Sequence, residues 1–183
     1  MSTLFGALVG IITRFQTQYV GFINIFFAYI WESAPHCRIG KGTTCCIHIK
    51  NKRPFTIEAI VVLPDHLHAI WRLLDGDADF STRWRTIKHD FSIALQDGVV
   101  SPSQQRKGEK GIWQRRFWEH AIRNETDWCR HIDYIHFNPV KHGYVTSPST
   151  WPYSSFLRAV EKGWYPPDWG QQEPDSVKSM HLE

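Results

Sequence analysis

The stretch TIEAIVVLPDHLHAIWRLL, residues 56–74, decides the fold. Its first half is β-branched and apolar through Leu63, Pro64-Asp65 is turn-like, and the run from His66 is apolar again. This pattern reads as two adjacent strands joined by a tight turn, ending at Asp75-Gly76-Asp77. Downstream, Phe80, Trp84, Ile87, Phe91 and Leu95 recur at steps of three and four, the stripe of an amphipathic helix over residues 80–95. Residues 96–110 are polar and contain Gly98, Pro102 and Gly108, so they read as a loop, and residues 111–122 as a strand. Asn124 then caps a helix whose first turn carries Asp127, a charge the helix dipole favours there. That helix is expected to close at Asn138, because a residue before proline is pushed out of the helical region. A short helix is expected within residues 154–162, and upstream Ile23-Asn24-Ile25-Phe26-Phe27 is the expected first strand.

A chain of 183 residues suits one domain, or one domain with appendages. With 42% hydrophobic and 21% charged residues, general disorder, collagen and coiled coil are excluded. A formal charge of +3 permits a nucleic-acid partner without requiring one. The apolar runs at residues 4–12 and 19–31 are separated by residues 13–18, and each falls short of the roughly 18 to 20 residues of a membrane span. A signal peptide would want positive charge before the apolar run, and Met1-Ser2-Thr3 offers none beyond the amino terminus. Cys37, Cys45, Cys46 and Cys129 form no disulfide framework, which points to a reducing, cytoplasmic compartment. Cys37, Cys45, Cys46 and His48 also lack the spacings of a zinc ribbon or finger, and ordinary thiols are the better reading.

Two constellations carry chemistry. In Pro64-Asp65-His66-Leu67-His68, the histidines stand two apart on a strand, so both imidazoles share one face and can approach one metal ion. Two solvent-facing histidines on an ordinary sheet would look the same. In the second, helical spacing puts His131, Tyr134 and Asn138 on one stripe. Spacing alone favours the plainer alternative, in which Tyr134 is a core residue and Asn138 a C-cap.

Together, FTIEAIVVLPDHLHAIWRL, IWQRRFWEHAIRNETD and HIDYIHFNPVKHGYV closely resemble the REP-associated tyrosine transposases. These belong to the HUH single-strand endonucleases, named for two histidines flanking a hydrophobic residue. The resemblance covers roughly residues 54–170, with three motifs in the family's order. It implies an α+β, ferredoxin-like antiparallel sheet with helices on one face, the histidine pair on a central strand and the catalytic tyrosine on a helix. It makes His66 and His68 metal ligands, Asn138 the third ligand and Tyr134 the nucleophile.

Two imidazoles and one amide oxygen leave a divalent ion partly hydrated, which suits Mg²⁺ or Mn²⁺ better than a closed zinc site. The implied reaction is single-strand DNA cleavage through a 5′-phosphotyrosine, followed by rejoining without ATP. His131, on the tyrosine's stripe, is expected to accept the phenol proton or orient the ring. The implied partner is a repeat folded as a hairpin with single-stranded flanks, bound by a monomer in the bacterial nucleoid. A domesticated protein that binds such hairpins without catalysis is the alternative.

Expected DNA contacts are Arg83, Arg85 and Lys88 on the helix after the histidine strand. Arg106, Lys107, Lys110, Arg115 and Arg116 follow in and after the polar loop, with Trp113, Phe117 and Trp118 interleaved as stacking platforms. A solvated charged face and core aromatics explain the same residues. The expected divisions are 1–53 as an atypical segment, 54–147 as the catalytic core and 148–183 as a Trp- and Pro-rich extension. The first segment departs from the family pattern, since Gly40, Gly42 and a β-branched run oppose the expected helix. An altered reading frame would explain that departure.

Overall fold

The computed structural model describes residues 23–29, 49–93, 102, 106, 112–113, 118–178 and 180. Four strands, β1 (Ile23–Tyr29), β2 (Thr56–Val62), β3 (His66–Arg72) and β4 (Trp118–Ala121), form one sheet in the order β2-β3-β1-β4. Every pairing is antiparallel. This is the ferredoxin-like order, and it makes β3 an interior strand. The Pro64-Asp65 turn holds β2 and β3 as a hairpin, closed by the Leu63 N–H donating to the His66 carbonyl at 2.8 Å. Residues 49–52 are helical ahead of β2. The unusual stretch from residue 30 to 48, including Cys37, Cys45 and Cys46, lies outside the described residues.

Because β3 is interior, alternate side chains face two separate cores. Leu67, Ala69 and Trp71 pack with Trp84, Ile87 and Phe91 of helix α1 (Phe80–Ile93). Ile70, with Ala59 and Val61 of β2, packs instead with Trp128, Ile132, Tyr134 and Ile135 of helix α2 (Glu125–Lys141). The ferredoxin-like class stands as expected, with one difference: the two helices divide between the sheet faces rather than sharing one. A strand apolar on both sides requires cover on both.

The described residues of the expected strand over 111–122 are strand only at Trp118–Ala121. Asn124 caps α2 as expected, its side chain accepting from the Asp127 N–H at 2.9 Å. The other end of α2 differs. The helix runs through Pro139 to Lys141 and closes on Gly143, whose φ is +71°. The Tyr144 N–H donates to the Pro139 carbonyl and the Gly143 N–H to the Val140 carbonyl, the paired bonds of a Schellman closure. Those closing bonds hold the extra turn that proline was expected to forbid.

Residues after α2 wrap the sheet edge. Tyr153 and Ser155 exchange backbone hydrogen bonds with Val62 and Ile60, covering the outer edge of β2 that would otherwise invite pairing with another chain. Helix α3 (Phe156–Glu161) follows, and Phe156, Ala159, Trp164 and Tyr165 complete the core around α2. The Asp133 carboxylate accepts from the Tyr165 hydroxyl at 2.7 Å and the Ser176 hydroxyl at 2.6 Å. No helix among the described residues is long and apolar enough to cross a membrane.

Candidate functional site

The face of β3 that meets α2 carries His66 and His68. Their rings lie 4.8 Å apart, edge to face, and the His68 ring stands 5.6 Å from that of Tyr134. His68 and Tyr134 are completely buried and His66 almost so. Asn138, fully buried, follows Tyr134 by one helical turn. Tertiary packing therefore joins the two constellations that spacing left separate.

The chemistry of the donors fits a divalent ion. His66 Nδ1 lies 2.7 Å from the Asp65 carboxylate. The carboxylate can only accept, so a neutral His66 keeps its proton on Nδ1 and its lone pair on Nε2. A carboxylate on the far ring nitrogen is the usual second support of a metal-binding imidazole. His66, His68 and Asn138 would hold the ion.

Two further residues join this site through the extra turn of α2. The Lys141 ammonium donates to the Tyr134 hydroxyl at 2.9 Å, and the His142 ring lies 5.0 Å from that of His66. Neither was among the expected site residues, because a helix ending at Asn138 would carry both away. The signal was present in the seven-residue step from Tyr134 to Lys141, two turns along one face.

His131 lies elsewhere. Its Nδ1 is 2.8 Å from the Asp127 carbonyl oxygen and 3.0 Å from the Asp127 carboxylate. Its ring stacks on His120 at 5.0 Å. Lys141 rather than His131 donates to the phenol hydroxyl. Burial holds His131 below the ordinary imidazole value, against the pull of Asp127. Burial pushes Asp127 upward, but bonds from His120 and the Arg123 N–H, with the neighbouring imidazoles, bring it below the ordinary carboxylate value. His120, Asp127 and His131 are a group able to hold a metal ion.

The expected DNA contacts separate in the same way. Arg83 is a correction: it is only 3% exposed and is spent inside the protein. Its guanidinium donates to the Asp77 carboxylate at 2.6 and 3.2 Å, to the Asp79 carbonyl at 2.8 Å and to the Pro54 carbonyl at 3.1 Å. The ammonium of half-buried Lys88 lies 5.5 Å from the centre of the Trp113 ring, and burial lowers its pKa. Trp113 itself packs on Phe91. Arg85 and Arg106 are exposed. Lys107, Lys110, Arg115, Arg116 and Phe117 lie outside the described residues, as does the side chain of Trp118. Cys129 is a free, half-buried thiol. Burial and then the nearby Asp133 and Glu125 push it up to about 12, so it is inert as a thiolate.

No family model matches the chain. A REP-associated tyrosine transposase of Escherichia coli K12 is 52% identical over 129 residues, covering 70% of this chain and 71% of the relative. A protein described as a REP-associated tyrosine transposase of Haemophilus influenzae is 46% identical over 127 residues, covering 68% and 72%. A solved structure of a REP-associated tyrosine transposase bound to a REP hairpin superposes with a TM-score of 0.69 at 40% identity. That match covers 89% of this chain and 95% of the solved one.

A ferredoxin-like sheet with a His-x-His strand against a tyrosine-bearing helix, and relatives of this kind, define a tyrosine transposase. Within that class, the chain belongs to the REP-associated tyrosine transposases.

Proposed function

We propose that this transposase cleaves and rejoins single-stranded DNA beside hairpin-forming repeats, with Tyr134 as nucleophile. The packing of Tyr134 against the His66–His68 pair carries the reading. The Tyr134 oxygen attacks the phosphorus, the bond from phosphorus to the 3′ oxygen breaks, and the departing oxygen takes a proton. A 5′-phosphotyrosine and a free 3′-hydroxyl result. A second 3′-hydroxyl attacking that linkage reverses the exchange and returns the phenol, so joining needs no ATP. His66, His68 and Asn138 would hold a Mg²⁺ or Mn²⁺ ion, which when bound would polarise a phosphate oxygen.

The chain's own groups do the rest. A free phenol ionises near 10. The Lys141 ammonium, 2.9 Å from the hydroxyl and 4.7 Å from the ring centre, favours negative charge on that oxygen both as attacker and as leaving group. Asp65 orients His66 through its Nδ1, and the buried face around His68 limits water near the reacting oxygen. Exposed Arg85 and Arg106 supply phosphate contacts. The solved relative bound to a REP hairpin supports a hairpin partner. Incubating the protein with labelled single-stranded hairpin DNA and Mn²⁺ tests the reading. A covalent, protease-sensitive adduct is expected, and its absence at every metal and flank offered would overturn it.

A further inference from the structure

A second group of ligating side chains lies on the same sheet face as the Tyr134 site but apart from it. His120 on β4 occupies the cross-strand row that runs through Ile25 to Ile70, two strands and two residues from His68. Strand geometry makes that a Cα separation of roughly 12 Å, too far for one ion or a two-metal clamp of about 4 Å. Asp127 and His131 stand one turn apart on α2 and meet His120 from above. The three offer ligand atoms all within 4.8 Å of one another. Asp127 holds both rings: its carboxylate lies 2.8 Å from His120 Nε2 and 3.0 Å from His131 Nδ1. The proton that His131 Nδ1 shares with the Asp127 carbonyl leaves the lone pair on Nε2. That Nε2 is buried and has no hydrogen-bond partner among the described residues, an uphill state for an imidazole nitrogen.

The group opens onto a cavity of about 350 Å³ lined by His120, Arg123, Asn124, Thr126, Asp127 and Arg130. One carboxylate leaves a divalent ion with a net positive charge, and Arg123 and Arg130 add two more. The same cavity holds the amino end of α2, whose dipole also favours an anion. An ion there therefore calls for an anionic ligand from the cavity side.

We propose that His120, Asp127 and His131 form a second divalent-metal site, for an ion of the Zn²⁺ or Co²⁺ kind, completed by a phosphate group in the Arg123–Arg130 cavity. Two imidazoles and a carboxylate suit such ions better than Mg²⁺. The site ties β4 to the start of the helix that carries Tyr134. It does not depend on the cleavage reading.

Titration of Co²⁺ into the His66→Ala/His68→Ala chain isolates this site, followed by its visible absorption band. Three arms are compared: the metal alone, with inorganic phosphate, and with an unstructured oligonucleotide. One Co²⁺ per chain is expected, tightened at least tenfold by phosphate or oligonucleotide. Tightening by inorganic phosphate marks the free ion as sufficient, and tightening by the oligonucleotide alone marks a DNA backbone phosphate. Asp127→Asn should abolish the band. His120→Gln, which retains a donor to Asp127 and leaves the helix cap intact, should weaken Co²⁺ at least tenfold in this background. Unchanged Co²⁺ binding in the folded His66→Ala/His68→Ala/His120→Gln chain overturns the proposal, as does failure of the His66→Ala/His68→Ala chain to bind Co²⁺ in the presence of either phosphate source.

Discussion

The Lys141 ammonium donates a 2.9 Å hydrogen bond to the Tyr134 hydroxyl while lying 4.7 Å from the centre of the same ring. One cation thus addresses both the oxygen and the π-face of the proposed nucleophile. Lys141→Ala is expected to slow adduct formation about 10- to 100-fold, the usual scale of a charge-assisted hydrogen bond. Its rate should also rise at higher pH than that of the parent, since a phenolate loses its nearest positive charge. Lys141→Arg should recover part of both. Single-turnover adduct formation across pH measures the effect, and a unchanged profile in Lys141→Ala would remove Lys141 from the mechanism.

Tyr134→Phe should eliminate the covalent adduct while leaving hairpin affinity within about threefold, because the ring's packing is preserved. Gel-shift and denaturing-gel assays on one preparation separate the two quantities. A persistent adduct would assign the nucleophile to another residue.

Arg83→Met should cost about 3 kcal/mol of stability, the low end for breaking a buried ion pair because Asp77 is partly exposed. Urea denaturation reads that loss. The salt dependence of DNA binding should not change. Arg85→Ala or Arg106→Ala should do the reverse, leaving stability within about 0.5 kcal/mol and reducing the log–log salt slope by about 0.7 to 0.9 each.

Acid should unfold the protein through its buried imidazoles. His136 is fully buried, its Nε2 2.9 Å from the Ser155 hydroxyl, and burial followed by the Arg158 charge pushes it down to about 3. The unfolded chain, with an ordinary imidazole near 6.5, binds the proton first. Stability is therefore fully present above pH 6.5 and declines as pH falls toward 3, by up to about 1.4 kcal/mol per unit for this group. His131 is shifted in the same direction. Stability measured by urea at successive pH values should show this slope, and His136→Gln should flatten it.

Elements with strong periodicity are legible in the sequence alone. The β2–β3 hairpin follows from a β-branched run, Pro64-Asp65 and a second apolar run, and α1 from the step pattern of Phe80, Trp84, Ile87 and Phe91. The Asn124 cap was visible because its bond to the Asp127 N–H is local. Arg83 misled for the opposite reason. A cation off the apolar seam resembles a solvated one until Asp77 and the Pro54 carbonyl fold onto it. Pro139 misled as well, since its local bias against a preceding helical residue was overridden by the closure on Gly143.

Residue order alone established that two histidines share one face of a strand and that Tyr134 and Asn138 share one face of a helix. Those statements follow from the two- and 3.6-residue repeats of the backbone. That the two faces meet was decided by tertiary structure, because the side of an interior strand that a helix covers depends on the whole sheet order. The same packing brought Lys141 to the phenol, turned His131 toward His120 and Asp127, and withdrew Arg83 from solvent. Each of these depends on partners from other elements or on an extra helical turn, and the seven-residue step to Lys141 becomes informative only once that turn forms.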